Sequence, residues 1–477
     1  MGDTPDLVRL DAIELSELIR TRAVSCAEVM RAYLDHIAVY NPRVNAIVAL
    51  RDRDELLAEA AERDRDLAAG RYHGWMHGMP HAVKDLAAAR GLPWTNGSPI
   101  FADQVADTDD TFVARIRAAG AIIIGKTNVP EFGLGSQSYN SVYGTTTNPY
   151  DTTRTAGGSS GGAGASLALR MLPVADGGDY MGSLRNPAAF NNVYGLRPSF
   201  GRVPTPGFVQ QLAVLGPMGR TVDDVAALLR VMAGPDDAAP LSNREDPARF
   251  APPVTPRDLR GARIAWVGDW DGYLATEPGV LDVCASALPV FESLGARVDP
   301  VRPAFAPERI WQAFLTWRWW ANLGRHGLYA DPALRRQVKP EALWEIEQGL
   351  KVTALDITRA MGERDAWYAA VLEMFETYDY ILALSAQVFP FDAATHWPRE
   401  IAGREMDTYH RWMETVAPWS MTGLPALGMP AGLGPSGLPM GVTLIGRPAA
   451  DLSVLSAAKA YEQATHVVRD NPPPMLG

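Results

Sequence analysis

The chain has 477 residues, 47% hydrophobic and 21% charged, with a formal net charge of −11 and a pI near 5.3. This length buries a wide core without disulfides or metals, and the acidic balance speaks against a nucleic-acid-binding surface, which phosphates would repel. Cys26 and Cys284 are isolated, with no Cys or His at metal-ligand spacing, so both read as buried packing residues. Residues 1–10 are acidic and lack a charged-then-apolar leader pattern. No apolar run approaches the ~20 residues needed to cross a bilayer. A soluble, cytoplasmic protein is expected.

From Asp11 to Ala69 apolar residues recur at helical spacing, first Leu15, Leu18 and Ile19, then Val29, Ala32, Tyr33 and Ile37. Asn41-Pro42 breaks the helix expected over 25–40, and a charged helix follows over 52–68. His81–Val83 reads as a short strand ending at Lys84. A helix over 111–119 feeds the β-branched run 121–125, forming the αβ half of a βαβ unit. Between 128 and 201, Gly, Ser, Thr and Asn dominate. Such a long irregular stretch inside a compact domain usually carries function, and one clear helix, over 163–172, lies within it. Next come a helix over 223–232, a Pro- and Asp-rich linker over 235–256, strands over 263–267 and 296–301, and a helix over 278–294. Residues 305–380 look helical and contain Trp311, Trp317, Trp319 and Trp320, which fit either an aromatic pocket or a packed core stripe. Short apolar runs at 424–431 and 440–445 close the pattern.

Three segments carry chemistry. They are Gly78-Met79-Pro80-His81-Ala82-Val83-Lys84-Asp85, Gly157-Gly158-Ser159-Ser160-Gly161-Gly162, and Asp179-Tyr180-Met181-Gly182-Ser183-Leu184-Arg185-Asn186-Pro187-Ala188. Singly, each has an ordinary explanation: a surface lysine, a flexible glycine linker, a turn. No Gly-Lys-Ser/Thr follows the glycines, so they are not a P-loop. A nucleophile elbow at Ser159 needs a buried strand before it, and residues 148–155 are polar.

Taken together, in this order, the segments resemble the amidase signature family, whose pattern reads approximately GxPxxVKD, GGSSGG, DxGGSxRxPA. The separations match too, with 75 positions from Lys84 to Ser159 and 24 from Ser159 to Ser183. The segment from Tyr194 to Val203 and the runs Gly423–Ala426 and Gly437–Gly441 extend the likeness. The resemblance implies an α/β fold, a mixed twisted sheet surrounded by helices, in a single catalytic domain spanning 1–477. Residues 251–400 are expected to form a smaller, partly helical lobe on the substrate side. It implies an amidase with Ser183 as nucleophile, Ser159 as bridging relay and Lys84 as base, and a cis peptide between Gly158 and Ser159. Backbone N–H groups of Tyr180, Met181 and Gly182 would form the oxyanion hole, with Gly158, Ser160, Asp179 and Arg185 in support. No metal and no cofactor is expected.

Physical chemistry agrees with that implication. A Ser hydroxyl needs an adjacent base, and a Lys with an ordinary pKa of about 10.4 must lose about 2 units to work near pH 8. Burial beside Ala82 and Val83 would do this, provided that strand alternation turns Asp85 away. None of the eight histidines lies in the glycine-rich stretch, and His81, three residues from Lys84, is the nearest. Met181 departs from the pattern, standing where the family usually has Gly. The turn must therefore form without a positive φ there, or under strain, and the side chain would alter the pocket.

The expected substrates are aryl or bulky apolar amides, with carbamates and esters open to the same relay. The chain would be a monomer or homodimer acting on a small molecule, away from membranes. Two alternatives stand beside this reading: a glutaminase subunit of a tRNA-dependent amidotransferase, and a catalytically silent binding protein of the same fold.

Overall fold

A computed structural model describes residues 6–209 and 211–477; the first five residues of the acidic N-terminal stretch lie outside it. Reciprocal capping opens the first two helices. Asp11 and Glu14 cap Ala12–Arg20, and Ser25 and Glu28 cap Cys26–Val44. The second helix runs through Pro42, where the sequence suggested a break. Pro42 falls in its last turn, and the chain leaves the helix only at Asn45, which takes a left-handed φ of 52°.

Two sheets organise the molecule. The smaller joins Ile47–Val48, Ile122–Thr127 and Pro80–Lys84, with the last two parallel. The larger is mixed and eight-stranded. Its order is Arg297–Pro300, Arg263–Gly268, Tyr380–Leu384, Pro439–Ile445, Ala426–Leu433, Tyr194–Arg197, Val214–Gly219, Val174–Asp179. The first three strands are parallel and the rest pair antiparallel. This is an α/β fold. Nearly all the β-branched and apolar residues of the central strands are buried, as a sheet covered on both faces requires.

The segment 251–400 supplies three strands to the large sheet, together with the helices Pro307–Asn322, Pro340–Gly349 and Ala354–Thr377. The helix expected over 278–294 is two, Val280–Ala285 and Leu288–Ser293, because Pro289 has no N–H to continue the ladder and sits in the first turn of the second. The helix expected over 163–172 is Gly161–Ala168, and Arg170 takes a φ of 59° just beyond it. Trp311 and Trp317 pack into the core, with Trp311 stacked on Phe314 and Trp317 edge-on to Trp320. The core-stripe reading holds for Trp311 and Trp317, while Trp319 and Trp320 pack against the core only in part.

Candidate active site

Lys84 ends a strand in which every residue is buried. Asp176, on the edge strand of the large sheet, accepts from the Lys84 backbone N–H at 3.2 Å and pairs with His81 Nε2 at 3.0 Å. One carboxylate thereby fastens the small sheet to the large one and fixes where the Lys84 side chain starts. Its Nζ lies 2.8 Å from Ser159 Oγ, 2.7 Å from Ser160 Oγ and 3.2 Å from the Gly178 carbonyl. Burial lowers the Lys84 pKa from 10.5 to about 7, against the opposing pull of Asp176 and Asp179. Asp85 takes no part in this. It accepts from Thr95 Oγ1 at 2.5 Å and lies 3.8 Å from Lys126 Nζ, in a wholly buried pair of its own.

Ser159 and Ser160 stand at the head of the helix Gly161–Ala168. The Gly158–Ser159 peptide is cis. The Gly158 N–H donates to Asn186 Oδ1 at 3.2 Å, and a Cβ there would come within 2.8 Å of the Gln137 backbone nitrogen, so only glycine fits. The Ser160 N–H donates to the Ser183 carbonyl at 3.3 Å, joining the two serine segments.

Asp179 organises the Ser183 turn. Its carboxylate accepts from the N–H groups of Gly182 at 2.8 Å and Leu184 at 3.2 Å, and from Arg185 Nε and Nη2, both at 3.0 Å. Arg197 adds a contact at 3.3 Å. The two guanidinium groups hold the fully buried carboxyl well below the usual carboxylate range. Gly182 carries the positive φ of the turn, 80°, and Met181 does not, so the Met departure introduces no left-handed strain. The Met181 side chain is buried in the core and does not line the cavity. One sequence expectation changes here. The Gly182 N–H is engaged by Asp179, which leaves Tyr180, Met181 and Ser183 as the backbone donors of this turn without a described acceptor.

Lys84, Ser159, Gly178, Asp179, Tyr180 and Ser183 meet at one cavity of about 490 Å³. Ser183 Oγ makes no hydrogen bond to any described residue and opens onto this space. Leu86, Phe132, Leu134, Phe200, Val209 and Leu215 give the cavity apolar walls, and the polar side chains Gln211, Arg318, Asn322 and Arg325 stand among them. None of the four tryptophans at 311–320 lines it, and no histidine does. Asp176 and Arg197 escaped the sequence reading. The available signal was Asp176 two residues ahead of Gly178 within a strand of Ala and Gly, where a carboxylate at a buried position needs a partner.

The comparisons fit this geometry. A family model described as Amidase matches residues 28–455. An acylamidase from Rhodococcus erythropolis is 34% identical, over 95% of this chain and 95% of its own length. A glutamyl-tRNA(Gln) amidotransferase subunit from Thermosynechococcus vestitus is 33% identical, over 95% and 97%. The crystal structure of a bacterial aryl acylamidase matches with a TM-score of 0.89 at 28% identity, covering 98% of each chain. This chain is an amide-hydrolysing enzyme of the amidase signature family.

Proposed function

We propose that the chain is an acylamidase that cleaves aryl or bulky apolar amides through an acyl-enzyme on Ser183, with Ser159 and Lys84 as its proton relay. The observation that carries this is the triple contact of a buried, depressed-pKa Lys84 with Ser159, Ser160 and Gly178. A neutral amine has two hydrogens and one lone pair. The Gly178 carbonyl can only accept, and donation to Ser160 uses the second hydrogen, so the lone pair is left for the Ser159 hydroxyl. Ser159 can then take the Ser183 proton as substrate draws the two hydroxyls together, since such contacts often tighten only in the bound complex.

Ser183 Oγ attacks the amide carbonyl, and the N–H groups of Tyr180, Met181 and Ser183 hold the oxyanion. The C–N bond breaks as Ser159 returns a proton to the leaving nitrogen. Water then cleaves the acyl-Ser183 ester by the same relay, and a carbamate would follow the same course. Arg318, Ala321, Asn322 and Arg325, within the 251–400 segment, act as the substrate-side wall.

The apolar walls, Phe132 and Phe200 among them, favour this reading over the glutaminase alternative, and the acylamidase likeness points the same way. Intact-mass analysis after fluorophosphonate treatment tests the nucleophile. One adduct is expected, absent from Ser183→Ala. Comparing kcat/KM for a nitroanilide, a nitrophenyl carbamate and glutamine tests the substrate, and a preference for glutamine would overturn it.

A further inference from the structure

Apart from the relay base Lys84, the charged side chains lining the cavity are ion-paired with one exception among the described residues. Asp179 is held by Arg185 and Arg197. Arg318 donates through Nε to Glu345 at 2.5 Å and through Nη2 to the Tyr409 hydroxyl at 2.7 Å. Arg325 lines the same cavity yet has no carboxylate within 4.0 Å among the described residues. Its Nη1 donates to Asn322 Oδ1 at 2.6 Å, and its guanidinium lies 5.3 Å from the centre of the Phe132 ring. Partial burial and the nearby Arg318 charge both press against its ionised form, a cost that a bound anion would relieve.

Position tells which half of the substrate reaches Arg325. The strip Phe132-Gly133-Leu134 flanks Ser159, since a Cβ on Gly133 would lie 3.5 Å from Ser159 Oγ. In the relay proposed above, on which this inference rests, Ser159 delivers the proton to the departing nitrogen. The amine half therefore leaves along Phe132, and Arg325 is stacked over that ring. We propose that Arg325 binds a carboxylate carried on the amine half of the substrate, so that the enzyme takes N-acylated amines in which an aromatic ring separates the nitrogen from an anionic group. Phe132 supplies a face for that ring, and the guanidinium meets the carboxylate beyond it.

Calorimetric titration of the full chain with 4-aminobenzoate and with its methyl ester tests the subsite without requiring turnover. The acid is expected to bind about tenfold more tightly than the ester in the wild type, and the ratio should fall to within about twofold in Arg325→Met. Arg325→Lys, which keeps the charge and guards against a folding defect, should retain part of the preference. Equal binding of acid and ester by the wild type, or a preference that survives Arg325→Met, would overturn the proposal. In turnover, kcat/KM for 4-acetamidobenzoate should exceed that for its methyl ester by a similar factor. An advantage found instead for succinanilic acid, whose carboxylate sits on the acyl half, would overturn the placement. Binding preference for the acid with no hydrolysis of any anilide would support the subsite and count against the acylamidase relay alone.

Discussion

Replacing Lys84 by Met tests the relay through stability, independently of any substrate. Lys84 is 2% exposed, and folding lowers its pKa from 10.5 to about 7. Between those values the unfolded chain holds a proton that the folded chain lacks, so wild-type stability rises with pH across that window. At about 1.4 kcal/mol for each pH unit, the buried lysine costs the fold about 5 kcal/mol at pH 7 and below, and nothing above pH 10.5. Methionine has nearly the same volume and no titration. Losing the contacts to Ser159, Ser160 and Gly178 costs about 1 kcal/mol each, which offsets the whole curve without changing its slope. Urea unfolding of both proteins, followed by tryptophan fluorescence, should therefore show Lys84→Met gaining on the wild type as pH falls. The gain should be about 1.4 kcal/mol per unit between about pH 9.5 and 7.5. A difference that stays flat across this range would mean that Lys84 keeps its solution affinity for protons inside the fold. A lysine still protonated at pH 8 cannot accept from Ser159, and the relay would be refuted.

In turnover, kcat/KM should rise with a half-maximum near pH 7 and then plateau, while Lys84→Arg should be inactive at every pH because guanidinium stays protonated; wild-type activity in that variant would refute the base assignment. Asp179→Asn leaves Arg185 and Arg197 buried without their counter-charge and should cost about 3–5 kcal/mol, read as a lowered melting temperature. Gly182→Ala forces a side chain into a φ of 80°, with its Cβ 2.7 Å from Val416 Cγ2, and should lower both kcat and stability, the latter by about 1–3 kcal/mol. Replacing His81, His326, His396 or His410 should leave kcat of the folded enzyme within about tenfold, short of the 10²–10⁴ of a lost general base, although His81 and His410 are buried and their loss should lower the melting temperature.

Local rules reached the elements that local forces decide. The helical spacing of the first two helices, the charged helix Arg53–Ala68 and the β-branched run of Ile122–Thr127 follow from residues within a turn or two of each other. Errors fell where a short-range signal had to be weighed against packing. Pro42 read as a stop, yet the helix carrying Tyr33 and Ile37 into the core continues to Val44, because only the final turn is affected. The strand order was out of reach, since Tyr380–Leu384 pairs with both Arg263–Gly268 and Pro439–Ile445, which lie far from it along the chain on either side. Periodicity carries no information about such partners.

The site was legible in its residue types but not in its electrostatics. The resemblance to the amidase signature family named Lys84, Ser159 and Ser183, and strand alternation turned Asp85 away from Lys84; the structure sets it 3.8 Å from Lys126 Nζ. What no spacing could give is that Asp176 binds the backbone of Lys84 rather than its ammonium. That difference decides the chemistry. A carboxylate at salt-bridge distance from Nζ would favour the charged form and raise its pKa, whereas one spent on the backbone N–H and His81 leaves desolvation in control. Asp179 is handled similarly, its oxygens occupied by Arg185, Arg197 and two backbone N–H groups. Two acids therefore lie close enough to position Lys84 and the Ser183 turn while their hydrogen bonds are directed elsewhere, and the lysine can remain a base.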